Sequence, residues 1–577
     1  MAEKEQEILK LERLRSYLRE KNYSACIIPQ NDPHLSEYVS DYYKIREYFS
    51  GFTGSEGTVL VGLDFAILWT DGRYFIQAET QLKGTGIELY KLNVEGFPTL
   101  VEFLGEKFSA NDVIIANLST ISTKDYESLA EKCTIKHDVE WENIWKNRPE
   151  VEKSNIWRLQ WAEEEHSFLS KIANLREKIV AENADYYLVS ALDELSWLFN
   201  IRAFDIDYTP VVRGYAIVGS SQIMLFIDSN KIVELPGVEI YHYDEIYNVV
   251  STLSGTLLLD KSKVNALLYK VCEECLEVKS IDNPITLQKA MKSQMEIAGC
   301  IKANVNDAVV WVRLMKFIED SLQSGVKITE LSVSEKITQL KAENEDFVCE
   351  SFESIVAYAD NAAIVHYAVT AKTDKEILPE GLLLIDSGTH YVYGTTDITR
   401  TLVCGNVTDE QKTRFTQVLK GMIAVATAEF DSQTKGKDID ALSRKFLQED
   451  GEDFAHGSGH GVGSVLCVHE EGVRLSPKGE GVIMPNVITS DEPGYYKAGE
   501  FGIRIENMLL CNLKDENVLN FCNLTLVPID VRAIEVKLLS EDERNWINNY
   551  HNRIKNKLKD KLSADEYLWL NERFYEI

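Results

Sequence analysis

The sequence predicts a mixed α/β chain of several domains, and three observations carry that expectation. At 577 residues and 65.6 kDa the chain exceeds what one ordinary core can organise, so two to four domains are expected. Short apolar runs bounded by Gly, Asn and Asp alternate with helical stretches, the pattern of α/β units. One such pattern occurs twice: Gly57-Thr-Val-Leu-Val-Gly62 followed by a strand ending at Asp71 is echoed by Tyr215-Ala-Ile-Val-Gly219 followed by Ile223-Met-Leu-Phe-Ile-Asp228.

Taken in order, residues 5–22 read as an amphipathic helix with Ile8, Leu9, Leu11, Leu14 and Leu18 at helical spacing. Ala25 to Pro29, Thr58 to Gly62 and Phe65 to Thr70 read as strands, and Tyr74 to Leu82 as a helix. Asp71-Gly72-Arg73 reads as a strand-ending turn. The two copies divide near Arg148-Pro149, and Cys272-Glu-Glu-Cys275 reads as two thiols on an acidic helix, since no second pair completes a zinc site. Asp282-Asn283-Pro284 is a turn before one long helical pattern carrying Leu287, Met291, Met295, Ala298 and Ile301, a stripe expected in the core. Thr408-Asp-Glu-Gln411 is a capping box opening a helix through Val418 and Met422. The chain ends in helical sequence with Trp546, Tyr550, Leu558, Leu568, Trp569 and Phe574, aromatic surface that needs the chain's own body or a second copy to cover it.

Composition excludes several classes. A net charge of -31 disfavours nucleic acid and anionic membranes as partners and favours a cationic substrate. The first residues lack the basic and apolar regions of a signal peptide, and no apolar run approaches the roughly 18 residues that span a bilayer. The 10 scattered cysteines read as reduced thiols, and a cytoplasmic location is expected.

The chemistry gathers between Ile364 and Leu510. Of 10 histidines, five (His366, His390, His456, His460, His469) fall between residues 366 and 469. Leu382-Leu-Leu-Ile385 is a buried strand delivering Asp386, and Tyr391 to Val403 reads as its return strand, which would set Asp397 beside Asp386 on one face. Glu492 precedes Pro493 and is biased to extended backbone, while Phe501-Gly-Ile-Arg-Ile-Glu506 alternates, so a second strand pair supplies two more carboxylates. His456-Gly-Ser-Gly-His460-Gly-Val-Gly463 is too glycine-rich for a zincin helix and reads as a strand that lets backbone approach a crowded site. Four carboxylates and one imidazole carry four negative charges, which two divalent cations would balance. Oxygen-dominated ligation puts Mn²⁺ first, with Co²⁺, Fe²⁺ or Zn²⁺ possible. Two such ions can share a hydroxide whose pKa is drawn toward neutrality, a nucleophile for hydrolysis.

These motifs, with Phe52-Thr-Gly-Ser-Glu-Gly57, Trp197-Leu-Phe-Asn200, Asp386-Ser-Gly388, Gly394-Thr-Thr-Asp397, Asp491-Glu-Pro-Gly-Tyr-Tyr496, Gly502-Ile-Arg-Ile-Glu-Asn507 and Leu524-Thr-Leu-Val-Pro528, resemble the three-domain pita-bread metallopeptidases that act on Xaa-Pro bonds. The resemblance implies two creatinase-like N-terminal α/β domains, 1–152 and 153–282, then a pita-bread catalytic domain, 283–577, with a C-terminal extension from about 515. It implies that Asp386, Asp397, His460, Glu492 and Glu506 hold two metals, with Asp397 and Glu506 bridging and Glu492 shuttling a proton. It also implies that His366 and His469 steady the tetrahedral intermediate and orient substrate, that His456 and Arg504 occupy supporting and proline-pocket positions, and that the chain is a homodimer through its catalytic or C-terminal part. His390 matches no motif position and is expected at the surface. Where the family has His-Glu-Gly-Pro, this chain has His469-Glu470-Glu471-Gly472-Val473, which bears on the pocket loop. The implied activity is removal of an N-terminal residue that precedes proline. The alternatives are an X-Pro dipeptidase and a non-catalytic pita-bread binding module.

Overall fold

Leu11, Leu14 and Leu18 draw the helix Ala2–Lys21 onto the first sheet, while Ile8 and Leu9, on the same expected stripe, face outward. The computed structural model describes residues 2–151, 153–228 and 233–577, which form two units, one ending at Ile285 and one running Thr286–Ile577. The expected division after residue 152 falls on Glu152, which lies outside the described residues.

In the first unit a six-stranded sheet runs in the order Glu88–Lys91, Ala66–Thr70, Thr58–Gly62, Ala25–Pro29, Val113–Ala116, Thr134–His137. A second runs Glu239–His242, Ile223–Ile227, Gly214–Gly219, Tyr186–Val189, Thr256–Leu259, Glu277–Ser280. The two agree strand for strand: in each, one inner strand, Ala25–Pro29 or Tyr186–Val189, pairs antiparallel with the first strand of a hairpin and parallel with the strand on its other side. The repeat in the sequence is therefore a repeat of topology. Asp71 and Arg73 close a turn through hydrogen bonds from Arg73 Nε and Nη2, and Cys272 and Cys275 lie on the helix Ala266–Cys275.

In the second unit the expected single helix after Pro284 is two, Pro284–Ala290 and Gln294–Ser324. Met291 leaves the helix to bridge Val487, and Ser293 caps the new start in a capping box with Glu296. The Leu287, Met291, Met295, Ala298 and Ile301 stripe expected in the core faces outward, with Leu287 48 % exposed. Ala308, Trp311, Leu314, Met315 and Ile318 fill the core instead.

Two sheets frame the site. A three-stranded antiparallel sheet orders Ile355–Tyr358, Leu382–Asp386 and Thr399–Val403. A six-stranded sheet orders Glu429–Asp431, Val518–Asn523, Asn507–Asp515, Ile488–Asp491, Gly459–Gly461 and Glu470–Leu475. The expected capping box at Thr408 opens the helix Asp409–Ala426, which buries Phe415, Val418, Leu419 and Met422 at roughly 1.5–3 kcal/mol each.

One further expectation changes. Tyr391 to Val403 is not one return strand: Thr389–Tyr391 turns back on Gly394–Thr395 in a separate sheet, and only Thr399–Val403 pairs with Leu382–Asp386. The C-terminal aromatics are covered by the chain's own body, one of the two covers expected for them. Tyr550, Leu558 and Phe574 are buried and Trp546 and Trp569 pack on the same core, leaving Leu568 exposed among the six.

Candidate metal centre

Register decides where the first two carboxylates go. Asp386 pairs with Thr399, so Asp397 stands two residues beyond the ladder rather than opposite Asp386. Buried groups on two helices pin the loop between them. Asp307 accepts from Thr389 Oγ1 at 3.0 Å, from Tyr391 OH at 2.7 Å and from Thr396, while Lys341 Nζ donates to Ser387 Oγ at 2.5 Å and to the Gly388 carbonyl at 2.8 Å. Burial pushes the Asp307 carboxyl up, with Lys341 and the three hydroxyls opposing it.

The second pair arises the same way. Asp491 pairs with Asn507, so Glu492 and Glu506 leave adjacent strands at the same level. Thr399 Oγ1 donates to Glu506 Oε2 at 2.7 Å, and the Glu506 amide donates to the Thr399 carbonyl at 3.0 Å, which ties the two sheets together at this point. Glycine admits the histidine. A Cβ on Gly459 would stand 2.2 Å from the Ser490 carbonyl, so only glycine lets the strand bearing His460 lie this close to the strand bearing Asp491.

Ligand atoms of Asp397, His460 and Glu506 converge within 4.8 Å of one another. His460 Nε2 lies 3.3 Å from Asp397 Oδ2 and 3.3 Å from Glu492 Oε1. Asp386 stands at the edge of the cluster, its Oδ2 accepting from Arg504 Nη2 at 2.7 Å. Electrostatics record the crowding. Burial, opposed by Arg504 and reinforced by Asp397, lifts Asp386 to about 6, and Glu506 is driven well above the usual range by burial and by Asp397, Asp386 and Glu492. Burial opposes charge on His460, but Asp397 and Glu492 outweigh it and raise the imidazolium to about 9. So much like charge in one buried place requires cations or protons to hold it.

Residues 294–512 match metallopeptidase family M24, residues 10–144 and 147–296 each match a creatinase/prolidase N-terminal domain, and residues 517–577 match the C-terminal region of the M24 peptidases. Xaa-Pro aminopeptidase 1 of Dictyostelium discoideum is 35% identical over 95% of this chain and 92% of its own length. The chain belongs to metallopeptidase family M24, in its Xaa-Pro aminopeptidase branch. A probable Xaa-Pro aminopeptidase P of Laccaria bicolor is 34% identical over 96% of this chain and 91% of its own. The crystal structure of the X-prolyl aminopeptidase of Caenorhabditis elegans, a cytosolic enzyme with a di-nuclear active site, superposes with a TM-score of 0.94 at 31% identity, covering 99% of this chain and 100% of that one.

The residues present fit the divalent ions of an M24 aminopeptidase. Asp386 Oδ1 is buried with no hydrogen-bond partner among the described residues, and the donor set is four carboxylates with one imidazole. Around them runs a chain of contacts that sequence reasoning did not connect: Arg504 Nη1 donates to Tyr496 OH at 2.8 Å, and Tyr496 OH lies 2.8 Å from His456 Nε2. Tyr496 stood within a quoted motif, but nothing in its spacing announced that it joins Arg504 to His456. Asp307 and Lys341 carried no motif signal at all. The His469 ring meets the His460 ring edge to face at 4.4 Å between centroids. His366 is half-buried and follows Val365, whose carbonyl accepts from Arg504 Nη1 at 3.3 Å. His390, expected at the surface, is fully buried: the hairpin that carries it packs on the helix Gln294–Ser324, and its Nδ1 lies 2.9 Å from Thr395 Oγ1.

Proposed function

We propose that this chain is a metal-dependent aminopeptidase that removes an N-terminal residue from peptides whose second residue is proline, and that it works in the cytoplasm. The observation that carries the reading is the convergence of Asp397, His460 and Glu506, flanked by Asp386 and Glu492. Kinship with named Xaa-Pro aminopeptidases over nearly the whole chain supports it. Domains 1–152, 153–282 and 283–577 are the division we assign.

Asp386, Asp397, His460, Glu492 and Glu506 would hold two divalent cations, Mn²⁺ first by donor chemistry. Bound there, the cations would supply a water of lowered pKa and an electrophile for the scissile carbonyl. Glu492, 18 % exposed and steadied by a 3.1 Å hydrogen bond from Ser490 Oγ, would take up a proton and deliver it to the leaving nitrogen. His366 and His469 donate to the oxyanion, and Arg504 and His456 shape the proline side of the pocket. A bond before proline lacks an N–H, so recognition falls to the carbonyl, the free amine and the ring. The acidic chain, at -31, suits the amine.

We also infer a homodimer through the catalytic unit. With the C-terminal aromatics covered, the outward Leu287, Met291, Met295 and Ile301 face is its candidate contact. Sedimentation of the wild type against Met291→Lys, which would dissociate such a dimer, tests this. For the activity, purified protein loaded with Mn²⁺ is assayed on X-Pro, X-Pro-Y and X-Ala-Y peptides. Turnover of X-Pro-Y is expected, and cleavage confined to X-Pro would point to a dipeptidase instead.

A further inference from the structure

Three charged side chains lie sealed beside the site and take no part in the assignments above. Lys289 Nζ stands 3.1 Å from Glu470 Oε1, Lys292 Nζ pairs with Glu470 Oε2, and all three side chains are 1 % exposed. Two ammonium groups and one carboxylate are buried together. Taking such ions out of water costs several kcal/mol each, and well-packed apolar side chains would stabilise the fold as well or better. Stability alone therefore does not account for the cluster.

Its location does. Lys289 lies in the last turn of the helix Pro284–Ala290 and Lys292 in the break before Gln294–Ser324, where the backbone is fixed from several sides. The Lys292 amide donates to the Asn486 carbonyl at 2.8 Å, Lys292 Nζ donates to the Lys289 carbonyl at 2.9 Å, and Met291 bridges Val487. Glu470 is the residue after His469 and opens the edge strand Glu470–Leu475. It stands across from Gly461, whose carbonyl lies 2.9 Å from His460 Nδ1, and the pairing is irregular at that point. A strand edge with a register shift does not by itself hold a side chain to the tolerance catalysis needs.

We propose that Lys289 and Lys292 are positioning residues for His469: by clamping Glu470 from a rigid helix junction, they fix where the neighbouring imidazole stands against His460. The inference rests on the reading that His469 acts on the substrate. It assigns the two lysines no contact with metal or peptide.

The test compares Mn²⁺-loaded full-length variants on one X-Pro-Y peptide, with metal content measured on each. Lys292→Met is expected to lower kcat about tenfold or more. KM should stay within about threefold and metal content at the wild-type level, with Lys292→Arg restoring most of the rate. In a His469→Ala background Lys292→Met is expected to add no further loss, since the group it positions is gone. Should Lys292→Met fail to fold, Lys289→Met and the neutral pair Lys292→Gln with Glu470→Gln are judged by the same readouts. A folded variant with wild-type kcat, or a loss that repeats in full without His469, overturns the proposal. If His469→Ala alone keeps wild-type kcat, the role given to His469 fails and this inference falls with it. A slow His469→Ala beside a fast Lys292→Met sinks only the lysine clamp.

Discussion

Arg504 donates from Nη2 to Asp386 Oδ2 at 2.7 Å while its Nη1 reaches Tyr496 OH at 2.8 Å, so one buried guanidinium orients a candidate ligand and a pocket tyrosine together. Removing the fork leaves Asp386 buried among three other acids without its cation. Arg504→Met is expected to lower activity by about 10- to 100-fold and to weaken metal retention, as loss of a ligand's partner commonly does. Dialysis followed by elemental analysis checks the second part.

Tyr496→Phe deletes a single oxygen, the one linking Arg504 to His456. Packing is preserved, so metal content should hold while kcat/KM falls by about tenfold. Unchanged kinetics would remove Tyr496 from the site.

Asp397→Ala is expected to abolish turnover and lower metal content, because its carboxylate lies in the group that converges within 4.8 Å. Retention of both would contradict the proposal that Asp397 is a metal ligand.

Asp307 satisfies three hydroxyls around the loop from Asp386 to Asp397. Asp307→Ala strands Thr389, Tyr391 and Thr396, and a loss of about 2–4 kcal/mol in unfolding free energy is expected. Urea unfolding measures it, and a change within 0.5 kcal/mol, the range usual for a surface substitution, would be too small for a buried anchor.

Two buried histidines set an acid limit to stability. His551 Nε2 accepts from the Ile529 amide at 3.1 Å, which requires it unprotonated, and burial with Lys555 and Arg400 nearby lowers its pKa to about 3. His34, buried with Nδ1 2.8 Å from the Ser190 carbonyl and Nε2 2.8 Å from Tyr243 OH, is lowered by burial to about 4. For a base with a depressed folded pKa, the unfolded chain binds more protons below about 6.5. Stability is therefore full above that pH and falls as the pH drops toward 4, by a few kcal/mol per histidine. The melting temperature should decline below pH 6.5, and His551→Gln should flatten part of the slope. A melting temperature independent of pH from 7 to 5 would refute this.

Local sequence carried much of the outcome. The strands at Ala25, Thr58 and Phe65, the repeat of Gly57–Asp71 by Tyr215–Asp228, the capping box at Thr408 and the extended glycine-rich segment at His460 follow from alternation, turn residues and caps, all of which act over a few residues. Asp386, too, stood out as an acid delivered by an apolar strand. Phase and partnership escaped it. The apolar stripe from Leu287 to Ile301 faced outward, a hairpin at Val392 displaced Asp397 from the register drawn for it, and His390 went from surface to core.

The amino-acid pattern by itself determined which segments are strands and which acids and imidazoles can reach a common place, because hydrophobic periodicity fixes the face a side chain takes. Only the tertiary structure decided the rest: that Arg504 faces Asp386, that Asp307 and Lys341 grip the loop, and that two lysines seal Glu470 behind His469. Those contacts join residues tens to hundreds of positions apart, and their strength comes from burial, which no local stretch of sequence expresses.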